Sequence, residues 1–141
     1  MTFLVDTNLV SEWAKPEIDP RVVEWWRSID ENRTFLSVAT LAELRQGIQR
    51  LPTGRRRNQL TEWLQDDLRE RFEGRILYIG DAIADMWGFV VAERFAVGRP
   101  IGIMDAFLAA TARVHELNLV TRNTKDFSHL DLTLINPWED A

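Results

Sequence analysis

The stretch FLVDTNLV, residues 3–10, decides how this chain folds. Phe3, Leu4 and Val5 run straight into Asp6, and Leu9 and Val10 follow within one turn. A short, continuous apolar run reads as a strand buried on both faces, the pattern of a parallel sheet. A carboxylate set in such a run is costly unless something compensates it. At the carboxyl end of a strand, Asp6 either caps the next helix through backbone N–H groups or faces a ligand. Taken alone, the stretch leaves both readings open.

The rest of the chain alternates in the same way. RTFLS, RILYI, LNLVT and LTLI read as further strands. TNLVSEWA is a short helix stopped by Pro16, and DPRVVEWWRSI is a helix with Asp19 as its cap and Pro20 at its first position. VATLAELRQGIQRL carries Leu41, Leu44, Ile48 and Leu51 at helical spacing. In RRRNQLTEWLQDDLRERF, residues Leu60, Trp63, Leu64, Leu68 and Phe72 form one stripe, closed by Gly74. DAIADMWGFVVAERFAV ends before Gly98 and Pro100, and DAFLAATARVHE follows Gly102. Strands alternating with helices predict an α/β fold, a mostly parallel sheet of four to five strands with helices on both faces. At 141 residues the chain is expected to form a single domain over 1–141.

Composition narrows the chemistry. With 45% hydrophobic and 28% charged residues, the chain has the makeup of a globular protein. No apolar stretch reaches the roughly 18 residues a membrane span requires, and no basic leader precedes the first strand, so the cytoplasm is the expected location. There is no cysteine, which removes disulfides, thiolate metal sites and a thiol nucleophile. The net charge of −5 argues against a protein coated in nucleic acid, though not against an enzyme with a local basic rim. Arg55, Arg56 and Arg57 stand together, and Arg122 and Lys125 form a second basic group.

Ligands of parallel sheets bind beyond the carboxyl ends of the strands, and several acids fall there. Asp6 ends the first strand. Asp105 opens a helix whose next turns hold Ala106, Ala109, Ala110 and Ala112, small enough for close approach to the sheet. Glu43 lies between Ala39 and Gly47 on its helical column, so it can sit beneath a neighbouring element. Asn123 and Asp126 follow the strand LNLV, in a segment also well composed for an Asx turn. Gathered carboxylates repel one another, and a divalent cation relieves that penalty. Hard oxygen donors select Mg²⁺ or Mn²⁺. With only His115 and His129 available, zinc is disfavoured. Trp25 and Trp26 are adjacent on a helix, so one is expected in the core and the other at the surface or against a partner.

The segments FLVDTNLVSE, LSVATLAELRQGI, DAFLAATARVH and LVTRNTKDF, followed by INPW, resemble the PIN-domain nucleases, in particular the VapC/FitB-like toxins of type II toxin–antitoxin systems. The segments come in the family's order and reach from the first strand to Trp138. The resemblance implies an α/β/α sandwich and a Mg²⁺- or Mn²⁺-dependent endoribonuclease. It places the acidic cluster on Asp6, Glu43 and Asp105, with Asp6 and Asp105 as direct metal ligands. Glu43 would position a water on the ion or assist a second ion. The fourth position falls on Asn123, where the pattern often has Asp, with Asp126 as the alternative. Arg45, Arg50, Arg122, Lys125 and the run Arg55–Arg57 would guide phosphates. The implied partners are an RNA substrate, a cognate antitoxin, a second copy in a homodimer, and a larger assembly that reaches operator DNA through the antitoxin.

Two other readings share these residues. Asp6 in VDTN superficially matches the nucleophile of haloacid-dehalogenase-like phosphatases, although Asn8 stands where such enzymes carry a second Asp. A PIN domain that only binds a partner is the other, with Asn123 as its support.

Overall fold

The computed structural model describes residues 1–139, so the last two positions of the expected 1–141 domain lie outside the described residues. Five strands form one parallel sheet: β1 (Phe3–Val5), β2 (Thr34–Ser37), β3 (Ile76–Leu77), β4 (Asn118–Val120) and β5 (Leu134–Ile135). The spatial order is β3-β2-β1-β4-β5, which puts β1 at the centre. The chain moves outward from β1 through β2 to β3, then returns to the other side of β1. The switch point therefore lies between β1 and β4. The edge strands β3 and β5 hold only two residues each and pair along one side.

Alternation along the strands feeds two cores. Phe3, Val5, Leu36 and Val120 point to one face, and Leu4, Phe35 and Leu119 to the other. The first face is covered by α1 (Thr7–Ser11), α2 (Pro20–Ser28), α3 (Val38–Gln49) and the helical path that starts with α4 (Arg55–Glu62). That path continues through a π-helical stretch, Trp63–Leu68, into α5 (Arg69–Arg71). Its apolar stripe steps by four residues, a spacing that drifts around an ordinary helix. The wider π turns counter the drift and keep Leu64, Leu68 and Phe72 buried together.

The second face is covered by α6 (Asp81–Ala96) and α7 (Ile103–Val114). Ala106, Ala109, Ala110 and Ala112 are buried, which brings α7 against the sheet as its composition predicts. The helix begins two residues before Asp105, capped by Gly102, so Asp105 sits inside its first turn.

Asp19 caps α2, accepting from the Arg21 backbone N–H at 2.9 Å, with Pro20 at the first position. Both tryptophans of α2 are half-buried. Trp25 meets the Phe3 ring edge-on at 5.4 Å between centroids, and Trp26 packs on Trp13 at 4.6 Å. Glu12 is buried, a role not read from the sequence. It pairs with Lys15 at 2.6 Å and accepts from the Asp19 backbone N–H at 3.0 Å, which fixes the loop before α2.

Candidate metal centre

The parallel register sets the site. Phe3, Leu4 and Val5 pair with Asn118, Leu119 and Val120, so Asp6 and Thr121 come next to each other at the switch point. The Asp6 backbone N–H still donates to the Val120 carbonyl at 2.9 Å. Its side chain is only 5% exposed and is held on both oxygens. Oδ1 accepts from the Thr7 backbone N–H at 2.6 Å. Oδ2 accepts from Thr121 Oγ1 at 2.7 Å and from Asn8 Nδ2 at 3.3 Å. Asp6 is thus a helix cap and a crevice carboxylate at once, because its two oxygens divide the tasks. Burial pushes its pKa up, the Thr121 bond opposes the shift, and the Asp126 carboxylate adds to it.

Glu43 is half-buried on α3, and Oε1 accepts from Thr7 Oγ1 at 2.8 Å. Its pKa is raised by burial, lowered by the Thr7 bond, and raised again by Asp6. Thr7 therefore ties the Asp6 segment to Glu43.

Asp105 has no hydrogen-bond donor on its carboxylate among the described residues. Its pKa is pushed up to about 6, first by burial and then by Asp6, Asp126 and Glu43 in turn; Arg94 partly offsets the rise. The four acids read from the sequence thus share one electrostatic neighbourhood.

Asn123 and Asp126 occupy different roles. The Asn123 backbone N–H donates to Thr121 Oγ1 at 3.0 Å, and its carbonyl accepts from the Asp126 backbone N–H at 3.0 Å. This opens the 3-10 turn Thr124–Phe127, which is started by the Asn123 backbone carbonyl and not by its side chain, so it is not the Asx turn expected there. The carboxylate coupled to Asp6 and Asp105 belongs to Asp126. Arg94, 5% exposed, clamps that turn: Nη1 donates to the Asp126 carbonyl at 2.6 Å, and Nε to the Arg99 carbonyl at 2.7 Å.

Asn8 also reaches the segment after β4, its Oδ1 accepting from the Arg122 backbone N–H at 3.3 Å. His115 closes α7 through its own backbone N–H, and the His129 ring lies 3.2 Å from the neighbouring Ser128 hydroxyl. Thr7, Thr121 and Arg94 were missed in the sequence. The first two carry a signal after the fact, since each is a hydroxyl residue at a strand's carboxyl end.

Among the described residues, no three His, Cys, Asp or Glu side chains close on a single point as a full cage would. The donor set fits Mg²⁺ or Mn²⁺ all the same. Such ions keep several waters and take one or two carboxylates directly. An Asp105 carboxylate with no donor among the described residues, repelled by buried Asp6, is a charge arrangement that a cation would relieve.

A five-stranded parallel sheet between two helical layers, with an acidic crevice at its switch point, defines an α/β/α sandwich. The chain belongs to the PIN domain family, whose model matches residues 3–132. Its similarity is to the VapC/FitB-like toxins. It is 36% identical to Toxin FitB of Neisseria gonorrhoeae over 97% of this chain and 99% of that one. It is 34% identical to the VapC ribonuclease Y4jK of Sinorhizobium fredii, over 98% and 99%. A solved structure of FitAB bound to an IR36 DNA fragment superposes with a TM-score of 0.91 at 33% identity, covering 99% of this chain and 98% of that one. Asn8, an amide propping Asp6, also separates the site from the two-carboxylate pattern of the phosphatase reading.

Proposed function

We propose that the chain is the toxin of a type II toxin–antitoxin pair, a Mg²⁺- or Mn²⁺-dependent endoribonuclease of the cytoplasm. The observation that carries the reading is the coupling of Asp6, Glu43, Asp105 and Asp126, from four separate segments, at the switch point of a parallel sheet. The ribonuclease name of one relative and the toxin name of another support it.

Asp6 and Asp105 would hold the ion. When bound, it supplies Lewis-acid chemistry, activating water and offsetting charge on the phosphoryl oxygens. The chain's own residues do the rest. Thr121, Asn8 and the Thr7 backbone fix Asp6 so that it cannot swing away. Thr7 occupies Glu43 Oε1, leaving Oε2 free to accept a proton from the attacking water. Asp126 adds negative charge that draws a cation in. The protein supplies no covalent nucleophile.

The partners follow from the same reading: RNA, a cognate antitoxin that silences the site, a second copy of the chain, and an assembly that meets operator DNA through the antitoxin. The FitAB complex with DNA supports the last point. Exposed Phe89, Phe95 and Val97 on and after α6 supply apolar surface for the homodimer. No helix among the described residues is long and apolar enough to cross a membrane.

The test is cleavage of structured and unstructured RNA by purified protein with Mg²⁺, Mn²⁺ or EDTA. Metal-dependent cleavage, lost in the Asp6→Asn, Asp105→Asn double variant, is expected. Equal cleavage by both proteins refutes the reading.

A further inference from the structure

A second cavity, of about 330 Å³, opens beside the sheet and is not part of the acidic crevice. Its floor is apolar, with buried Leu41 and Leu64. Its rim carries Arg45 from α3, Arg69 from α5 and Tyr78, which is 74% exposed just after β3. Neither guanidinium has a hydrogen-bond or ion-pair partner among the described residues. Two such guanidinium groups beside an apolar floor offer an anionic group two donors at one cavity.

The register locates this cavity relative to Asp6. Leu4 pairs with Phe35, so Asp6 lies level with Ser37; Ser37 in turn pairs with Leu77. Tyr78 is therefore one residue past the level of Asp6 and two strands to the side, roughly 10 Å along the same rim. A polynucleotide laid across the strand ends with one phosphate at the acids would pass this point with a neighbouring nucleotide.

We infer that the cavity is a subsite for a single-stranded RNA nucleotide flanking the cut phosphodiester, its base on Tyr78 and its phosphate on Arg45 and Arg69. The inference rests on the ribonuclease reading. Stacking on an exposed aromatic ring needs no particular base, and the guanidinium fork matches phosphate oxygens. The acids cannot bind RNA unaided, because like charges repel; a cationic subsite nearby holds the chain while an ion bridges the cut phosphate.

Binding of a fluorescein-labelled single-stranded oligoribonucleotide in EDTA, followed by anisotropy across salt concentrations, tests this. The proteins are the wild type, Arg45→Gln, Arg69→Gln, Tyr78→Leu and Tyr78→Phe, each checked for its melting temperature and oligomeric state. Each arginine variant should reduce the slope of log affinity against log salt by about 0.7. Tyr78→Leu should weaken binding about tenfold, and Tyr78→Phe should restore it, since the ring is kept. In Mg²⁺ the weakened variants should show raised KM with kcat near wild type. Variants with wild-type melting, salt slope and affinity overturn the subsite. So does a Tyr78→Leu protein that changes oligomeric state but binds RNA as before, which assigns the cavity to a protein interface. If the wild type cuts RNA while the variants match it, only the subsite falls; if the wild type neither binds nor cuts RNA, the ribonuclease reading falls with it.

Discussion

Thr121 Oγ1 donates to Asp6 Oδ2 at 2.7 Å, joining the ends of β4 and β1 across the switch point. The bond favours the ionised form of a carboxylate that burial pushes toward neutrality. Thr121→Val keeps the shape and removes the donor. A hydrogen bond to a charged group is worth about 1.5–3 kcal/mol, so the acid limb of the cleavage profile should move up by about one pH unit or more. On the acid side of that limb the rate should fall, with recovery at higher pH. Thr121→Ser should behave as wild type. A pH–rate profile that does not move in Thr121→Val would show that the hydroxyl does not tune Asp6.

Asp105 makes metal-free stability depend on pH. Its folded pKa, about 6, lies above the ordinary value of 3.8. Its contribution to stability is therefore fully present below about pH 4 and is lost as pH rises through 6. Allowing for solvent screening, the loss is on the order of 1–2 kcal/mol. Asp6 and Glu43 shift in the same direction and add to the trend. Urea melts in EDTA from pH 5 to 8 should show the decline, and Asp105→Asn should flatten it. Mg²⁺ at pH 8 should restore stability to wild type by binding the folded state, and not to Asp105→Asn. Wild-type stability in EDTA that is flat over this range would count against a coupled acid cluster.

Asp126 and Asn123 can be separated directly. The Asp126 carboxylate acts on Asp6 and Asp105, while the Asn123 contacts run through its backbone. Asp126→Asn should lower Mn²⁺ affinity in calorimetry, and the cleavage rate, about tenfold or more, in line with loss of a supporting group at a metal site. Asn123→Ala should stay within about threefold, a change of under 1 kcal/mol. The reverse ranking would move the fourth position to Asn123.

Arg94 is a buried cation bound to two carbonyls. Arg94→Met leaves the Arg99 and Asp126 carbonyls without these donors and removes the charge that offsets the Asp105 shift. Loss of about 3 kcal/mol is expected in chemical denaturation, together with a further upward shift of the Asp105 carboxyl. Arg94→Lys should lose less, because it keeps the charge and can reach one carbonyl. Equal losses in the two variants would show that the charge plays no part.

Much of the architecture is legible in the chain because it is set locally. The apolar run before Asp6, the Asp19–Pro20 start of α2 and the alanines after Asp105 each specify an element through a few neighbours in sequence. Strand ends then put Asp6 at the crevice by a general rule of parallel sheets. The small residues beside Glu43 and after Asp105 mark these two acids through their own helices. Local patterns do not give strand order or register, and those decide which distant groups meet. Asp6 and Thr121 are 115 positions apart and touch only because β4 pairs with β1 in one register. The electrostatic reach of Asp126 to Asp6 and Asp105, the clamp of Arg94 on that turn, and the meeting of Tyr78 with Arg45 and Arg69 at one cavity all depend on that register and on helix packing. Local periodicity set which residues could face the crevice; the low-dielectric contacts made on folding decided which of them share its charge.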